Sequence, residues 1–431
     1  MIETAPNISI KNIKKAFAIL ISPEYSNTLT KINDEYLYWD RVKYMVPKGV
    51  EPSVFWHAVK LKRDMNRVDI SLGTLRFHFT VTGKMQQMLH DFDLNFGGSL
   101  GSNSIIPEKD HKVYLTSSVM EEAIASSQME GASTTRRVAK DMLRKQARPT
   151  DKSQQMIVNN YATIQYLVEH KNDDFGMQQL LNIHRLIASK TLDNPANEGT
   201  LRKDDNLLVM DNINGEVVHR PPSADSLEHL IEALCHFAND RSGQPFIHPI
   251  IKGIIIHFML AYFHPFVDGN GRTARSLVYW HMLKNGYWLT EYLSISRVIY
   301  RSKTRYEKAF LYAEVDGLDL SYFIMYNLTV MKQAYKDLTI YLHRKAQERQ
   351  CLPIIGGINE RQAQIIQMFR DSPGMLVTVK ELASRFAVSG KTLRADLQHL
   401  VDMALLEKRQ VNNRMAGYVG AGDMEEKLRN R

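Results

Sequence analysis

The run His264-Pro265-Phe266-Val267-Asp268-Gly269-Asn270-Gly271-Arg272-Thr273-Ala274-Arg275 constrains this chain more than any other feature. The apolar stretch before it, Pro249 to Phe263, reads as a helix that stops at the loop, because Pro265 disfavours a helical conformation at His264. Leu277, Tyr279 and Met282 continue a helical pattern after Arg272, so the loop delivers its residues to the positive end of a second helix. Gly269 and Gly271 flank Asn270 and leave backbone N–H groups free to approach an anion, as successive amides do in an anion nest. Arg272 and Arg275 project from one face of the first turn, where two forked guanidiniums suit a polyphosphate better than a lone carboxylate. Asp268 is a hard oxygen ligand of the kind that holds magnesium across phosphates. His264 is the one side chain of the loop able to act as a general base near neutral pH.

The same residues exclude two other ion-binding loops. No Lys-Ser/Thr pair follows the glycines, and the Ser389-Gly390-Lys391-Thr392 string has Arg385 where a Walker loop needs glycine. An EF-hand counted from Asp268 would put Arg272 and Tyr279 where acids should stand. His257 and Asp268 could be combined with His264 into a metal cluster, but His257 reads better as a histidine satisfied in the core or behind the site. The loop resembles the Fic family motif HxFx(D/E)GNGRxxR at every fixed position: His264, Phe266, Asp268, Gly269, Asn270, Gly271, Arg272 and Arg275. The resemblance extends over residues 110 to 330, through Arg202, the Leu207 to His219 segment as a flap, Pro221-Pro222, His248-Pro249 and His257-Phe258.

That resemblance implies transfer of AMP from ATP to a Ser, Thr or Tyr hydroxyl of a target protein, with Mg2+ as cofactor. His264 would deprotonate the hydroxyl and Asp268 would hold the magnesium. Gly269, Asn270 and Gly271 would cradle the α- and β-phosphates, with Arg272 on the β- and Arg275 on the γ-phosphate. Phe266 would anchor the loop in the core, and Tyr306 would line the nucleobase pocket or pack in the core. In-line attack at phosphorus needs this combination of positioning, charge neutralisation and a base. Ser126-Ser127-Gln128-Met129-Glu130-Gly131 resembles the family's inhibitory (S/T)xxxE(G/N) motif, which implies that Glu130, with Ser126 on the same helix face, occupies Arg275 and blocks the productive pose of ATP. Three alternatives stay open. The donated group could be UMP, phosphocholine or phosphate, the enzyme could remove AMP, or a DNA-binding regulator could use the core only to sense nucleotide.

Elsewhere the patterns are helical, over 117 to 131 (with Ser118 and Glu121 as a capping box), 153 to 170, 177 to 190 and 226 to 239. Two β-prone runs flank Asn212-Ile213-Asn214-Gly215, a strong hairpin signal. Phe77, Phe79 and Val81 alternate as in a strand. Near the C-terminus, Val379 to Phe386 and a helix bearing Leu393, Leu397, Leu400 and Val401 precede a possible hairpin across Asn412-Asn413, which resembles a winged helix-turn-helix. Lys391, Arg394, Lys408, Arg409 and Arg414 would touch phosphates if DNA is bound; a protein target or a homodimer contact is the alternative. The expected fold is therefore mainly α: a Fic-type helical core with a β-hairpin flap, plus a C-terminal winged helix-turn-helix (α+β) module. The expected boundaries are an N-terminal subdomain at 1–110, a core at 111–345 with flap 207–219 and active-site loop 264–275, a linker at 346–360, the winged-helix module at 361–420 and a disordered tail at 421–431. A 44% apolar, 24% charged composition excludes disorder over most of the chain, and a net charge of +8 favours anionic partners only weakly. No stretch reads as a membrane span, and Cys235 and Cys351 alone make neither a disulfide scaffold nor a zinc cage, so a reducing cytoplasm is the expected compartment. Possible self-modification completes the partners expected.

Overall fold

The structure is a computed structural model and describes residues 2–7, 9–97, 111–210, 215–240, 244–350, 357–372, 374–412 and 415–429. In chain order the elements begin with α1 (Ile13–Ile21), α2 (Pro23–Asp34), α3 (Trp39–Val42), α4 (Pro52–Asp64), β1 (Arg67–Leu72), β2 (Leu75–Thr80) and α5 (Gly83–Phe96). The middle of the chain forms α6 (His111–Met129), α7 (Arg136–Lys145), α8 (Lys152–Glu169), α9 (Met177–Ala188), β3 (Val209–Met210), β4 (Val217–His219), α10 (Leu227–Asn239), α11 (Pro249–Phe263) and α12 (Asn270–Lys284). Then come α13 (Ile295–Arg301), α14 (Lys303–Val315), α15 (Ser321–Gln350), α16 (Glu360–Asp371), β5 (Val377–Thr378), α17 (Val379–Phe386), α18 (Gly390–Asp402), β6 (Leu406–Asn412), β7 (Met415–Gly420) and α19 (Met424–Arg429). Among the described residues no helix is long and apolar enough to cross a membrane.

Two compact units result. The first takes Met1–Gly98, Glu122–Ser133 and Asp151–Ala334; the second takes Ser99–Glu121, Thr134–Thr150 and Tyr335–Arg431. In the first, α11 is apolar on nearly every side because it is buried on nearly every side: Ile250, Ile255, Phe258, Leu260 and Phe263 are each fully enclosed. Helix α12 lies against it, and Gly253 permits the approach, since a methyl group there would press on His281 at 3.3 Å. The aromatic residues between Tyr36 and Trp56 join this unit. The Arg63 guanidinium lies 4.0 Å from the Tyr36 ring centroid and donates to the Tyr322 hydroxyl at 2.6 Å, so α4 is tied to α15 through a buried cation in an aromatic cage. The expected strand is β2, paired antiparallel with β1, and the flap strands β3 and β4 also pair antiparallel. The Asn212-Ile213-Asn214 turn lies outside the described residues.

In the second unit, Ile365, Phe369, Leu382, Leu393, Leu397, Leu400 and Leu405 form one buried core, on which the sheet β5-β7-β6 closes. Asn359 caps α16 with a full capping box, Thr378 caps α17 and Ser389 caps α18. Three expectations need correction. Ser118 and Glu121 are not a capping box: α6 begins at His111, so both lie inside it, and Glu121 pairs instead with Arg136 and Lys140. The tail folds as α19 rather than staying disordered, because Met424 is buried in the second core. The first part of the expected linker is helical, as α15 continues to Gln350. Cys351, Asn413 and Arg414 lie outside the described residues.

Candidate active site

The loop between α11 and α12 is built from its two ends. His264 closes α11 in the left-handed conformation (φ 47°), and Gly269, also left-handed at φ 83°, opens α12 as its N-cap. Between them Asn270 acts as a clasp: its Oδ1 accepts from the Phe266 N–H at 2.9 Å and its Nδ2 donates to the Phe266 carbonyl at 2.7 Å. The Asn270 side chain is thus committed to holding the loop's shape. Phe266 is fully buried, as expected of an anchor, and stacks on His184 with centroids 3.7 Å apart and planes 1° from parallel.

His184 was invisible in the sequence as a part of the site. Its Nδ1 accepts from the Gly199 N–H at 3.0 Å, which puts the proton on Nε2, and Nε2 then donates to the Asp268 carbonyl at 2.8 Å. Burial holds its pKa down at about 4, so the ring stays neutral and keeps that tautomer at physiological pH. Arg202 binds the other side of the loop. Its backbone N–H donates to the Pro265 carbonyl at 2.8 Å and its Nε to the His264 carbonyl at 3.0 Å, while its remaining nitrogens reach Asp204, Asp205 and Pro222 around the flap. His219, at the end of β4, bridges the Tyr262 carbonyl (2.7 Å) and Glu314 (2.8 Å), which fixes the flap to the end of α11.

The chemistry-bearing side chains converge on this frame. His264 places Nδ1 3.3 Å from the Ala261 carbonyl, leaving Nε2 as the lone-pair nitrogen, and burial lowers its pKa to about 4. It is therefore an unprotonated base at neutral pH. Arg272 is wholly enclosed; Nη1 donates to the Ile187 carbonyl at 3.2 Å, but Nε and Nη2 have no hydrogen-bond partner among the described residues, and the Asp268 carboxylate stands 3.7 Å from Nη2. A buried guanidinium with two unsatisfied donors is costly unless an anion completes it. Burial pushes its pKa down for the same reason. The Asp268 side chain is half exposed and accepts from the Gly269 N–H at 2.5 Å, so it can reach a cation from the mouth of the loop.

Arg275 is engaged by the last turns of α6 and by Glu130 just after it. Its Nε donates to Ser126 Oγ at 3.0 Å, and its Nη2 donates to the Ser126 carbonyl at 2.9 Å and to Glu130 Oε1 at 3.0 Å. Burial opposes the charge of Arg275, and Glu130 with Tyr306 and Glu122 together more than offsets it, so its pKa is raised. The Glu130 carboxylate also covers Gly271 so closely that a methyl group there would collide with it. The segment is pinned by Glu122, a buried carboxylate that accepts from the Ser296 N–H at 2.9 Å and from the Ser296 hydroxyl. Tyr306 sits near Arg275, with its hydroxyl 2.9 Å from His257 Nε2. His257 is itself enclosed, its pKa pushed to about 3 by burial, and among the described residues no cluster of three or more His, Cys, Asp or Glu side chains could hold a metal.

Comparison with known proteins places these observations. Residues 174–282 match the Fic/DOC family, and residues 361–415 match an HTH domain. A protein named "Protein adenylyltransferase Fic" from Nematostella vectensis is 29% identical over 117 residues, 27% of this chain and 25% of its own length. A protein of the same name from Drosophila mojavensis is 36% identical over 69 residues, 16% of this chain and 14% of its own length. The matched region thus spans a quarter or less of these curated relatives. A Fic family protein from Desulfovibrio desulfuricans G20 has a similar fold, with 20% identity, coverage of 78% of this chain and 96% of its own, and a TM-score of 0.52. The matched stretches lie in this order along the chain, the Fic/DOC match at 174–282 and the HTH match C-terminal to it at 361–415.

Proposed function

We propose that this Fic-domain chain is a protein adenylyltransferase, moving AMP from ATP to a Ser, Thr or Tyr hydroxyl of a target protein, and that Glu130 holds it inactive. The observation that carries the reading is Arg272, enclosed with two nitrogens that find no partner among the described residues, in the loop that also presents an unprotonated His264. Phosphate oxygens would satisfy those nitrogens, and the α12 N-terminus and the glycine amides would share the charge. The hydroxyl oxygen attacks the α-phosphorus while His264 Nε2 accepts its proton, and pyrophosphate leaves. The names of the curated relatives support this reaction over transfer of UMP, phosphocholine or phosphate. Asp268, half exposed beside Arg272, fits a magnesium ligand, and magnesium would neutralise phosphate charge there.

Glu130 takes the Arg275 nitrogen that a γ-phosphate would need, which supports autoinhibition at this position. The test is mass spectrometry of purified Glu130→Gly protein after incubation with ATP and magnesium. An added AMP mass on the chain or on a co-incubated lysate protein is expected. An added phosphate mass, or no change with any target, overturns the reading. A second activity has its own support in the HTH match: Lys391 and Arg394 on α18 and Lys408 and Arg409 on β6 are exposed and suited to duplex DNA phosphates.

A further inference from the structure

The segment bearing Glu130 has an unusual place in the chain. Glu122–Ser133 folds in the first unit, but the described residues before it, 111–121, and Thr134–Thr150 after it both fold in the second, with the HTH domain. The braking segment is therefore rooted at both ends in the HTH unit. The roots are also tied to each other: Glu121, its side chain only 10% exposed, accepts from Arg136 Nε at 2.7 Å and pairs with Lys140. The second root, α7, buries Ala139, Met142 and Leu143, packs against α17 of the HTH domain, and carries Arg136, Arg137, Lys140, Arg144 and Lys145 against the single acid Asp141. Arg136, Arg137 and Lys145 are exposed.

We propose that duplex DNA is the ligand of this unit, that α7 extends the binding face of the HTH domain, and that DNA bound there withdraws Glu130 from Arg275. The regulatory step rests on the adenylyl-transfer reading above. The partner follows from the HTH match together with cations on α18, β6 and α7, a set that neutralises a phosphate backbone. The direction follows from competition. In the braked arrangement Arg136 and Lys140 are committed to Glu121. Phosphates that recruit them leave Glu121 buried without a cation, one residue before the braking segment begins, and α6 loses the tie that holds it at Glu121. DNA binds better where those cations are free, so it favours the released state, and by reciprocity ATP bound productively favours DNA.

The test uses the full chain and mixed-sequence duplex DNA at low salt. Addition of DNA is expected to raise labelled-AMP incorporation into the wild-type chain by about tenfold, and raised salt to cancel the gain. Glu130→Gly is expected to be fast without DNA and to gain less than about twofold with it. Arg137→Glu with Lys145→Glu is expected to need several-fold more DNA for the same response. An independent readout is amide hydrogen exchange at Glu130, Gly131 and Ala132, whose N–H groups are hydrogen-bonded to Ser127 and Gln128 carbonyls; DNA is expected to speed it. No binding of duplex at low salt, no change in exchange, or unaltered DNA binding by the α7 double variant overturns the proposal. If Glu130→Gly transfers no AMP while DNA still speeds exchange, the transfer reading has failed and the release has not.

Discussion

Replacing Glu130 by glycine removes one charge-assisted hydrogen bond to Arg275, at 3.0 Å, from a carboxylate whose side chain is 31% exposed. A hydrogen bond to a charged group contributes about 1.5–3 kcal/mol, and the partial exposure places this one toward the lower end. If Arg275 is the group that orients the γ-phosphate, freeing it raises the productive population of bound ATP by about tenfold to a hundredfold, at 1.4 kcal/mol per factor of ten. Arg275 keeps both bonds to Ser126, so the variant is expected to remain folded, with a loss of no more than about 1–2 kcal/mol in stability. The assay is initial-rate incorporation of labelled AMP with ATP and magnesium, wild type beside Glu130→Gly and Glu130→Gln. Gln is expected to fall between the two, because it retains a hydrogen-bond acceptor and loses the charge. A second substitution, Arg275→Ala in the Glu130→Gly background, is expected to abolish the gain. The reasoning is refuted if Glu130→Gly shows transfer no faster than wild type, or if the gain survives loss of Arg275.

His264→Ala is expected to lower AMP transfer by at least about a hundredfold while leaving ATP binding intact, checked by single-turnover rates beside calorimetry. The folded His264 binds its proton only near pH 4, against the ordinary 6.5, so its base form persists down to that region; transfer should be flat from pH 6 to 8, whereas loss of rate with a midpoint near 6.5 would contradict its burial. The same depression means that the unfolded chain binds more protons between those values, so the His264 contribution to stability falls as pH drops from about 6.5 toward 4. Asn270→Ala removes both bonds to the Phe266 backbone and is expected to destabilise the first unit by about 2 kcal/mol, read as a lower thermal midpoint. Chelation of divalent cations is expected to stop transfer, and Asp268→Ala to raise the magnesium needed for half-maximal rate.

Much of this site was legible because its information is local. The bounds of α11 and α17 follow from Pro265, from apolar runs and from flanking residues, and the loop concentrates its base, its carboxylate and its two guanidiniums within a few residues. What escaped reading is what distant residues supply. Glu121 and Ser118 have the spacing of a capping box, but Arg136 and Lys140 determine what Glu121 does. The residue pattern of the loop gives no hint that the Asn270 side chain is spent on Phe266, nor that His184 orients the Asp268 backbone from another helix. Tail residues with little apolar content read as disordered, yet Met424, buried in the second core with Ala421 and Leu428 against it, seats α19.

These distant contributions share a logic. Asn270, His184 and Arg202 bond to the loop's backbone rather than to any side chain that does chemistry, and the first two are enclosed by aromatic and aliphatic neighbours. Fixing carbonyls at Phe266, Asp268 and His264 limits the loop's freedom to collapse onto Arg272, whose two nitrogens without a partner among the described residues stay open to an anion. A loop held this way has already met the ordering cost of binding, which a flexible glycine-rich segment would otherwise meet at the moment of capture. Rigidity would also give the proposed brake its leverage. On the proposed reading, a single carboxylate delivered to Arg275 would be sufficient to exclude the outermost phosphate, and control of the proposed transfer would reduce to control of where Glu130 is held.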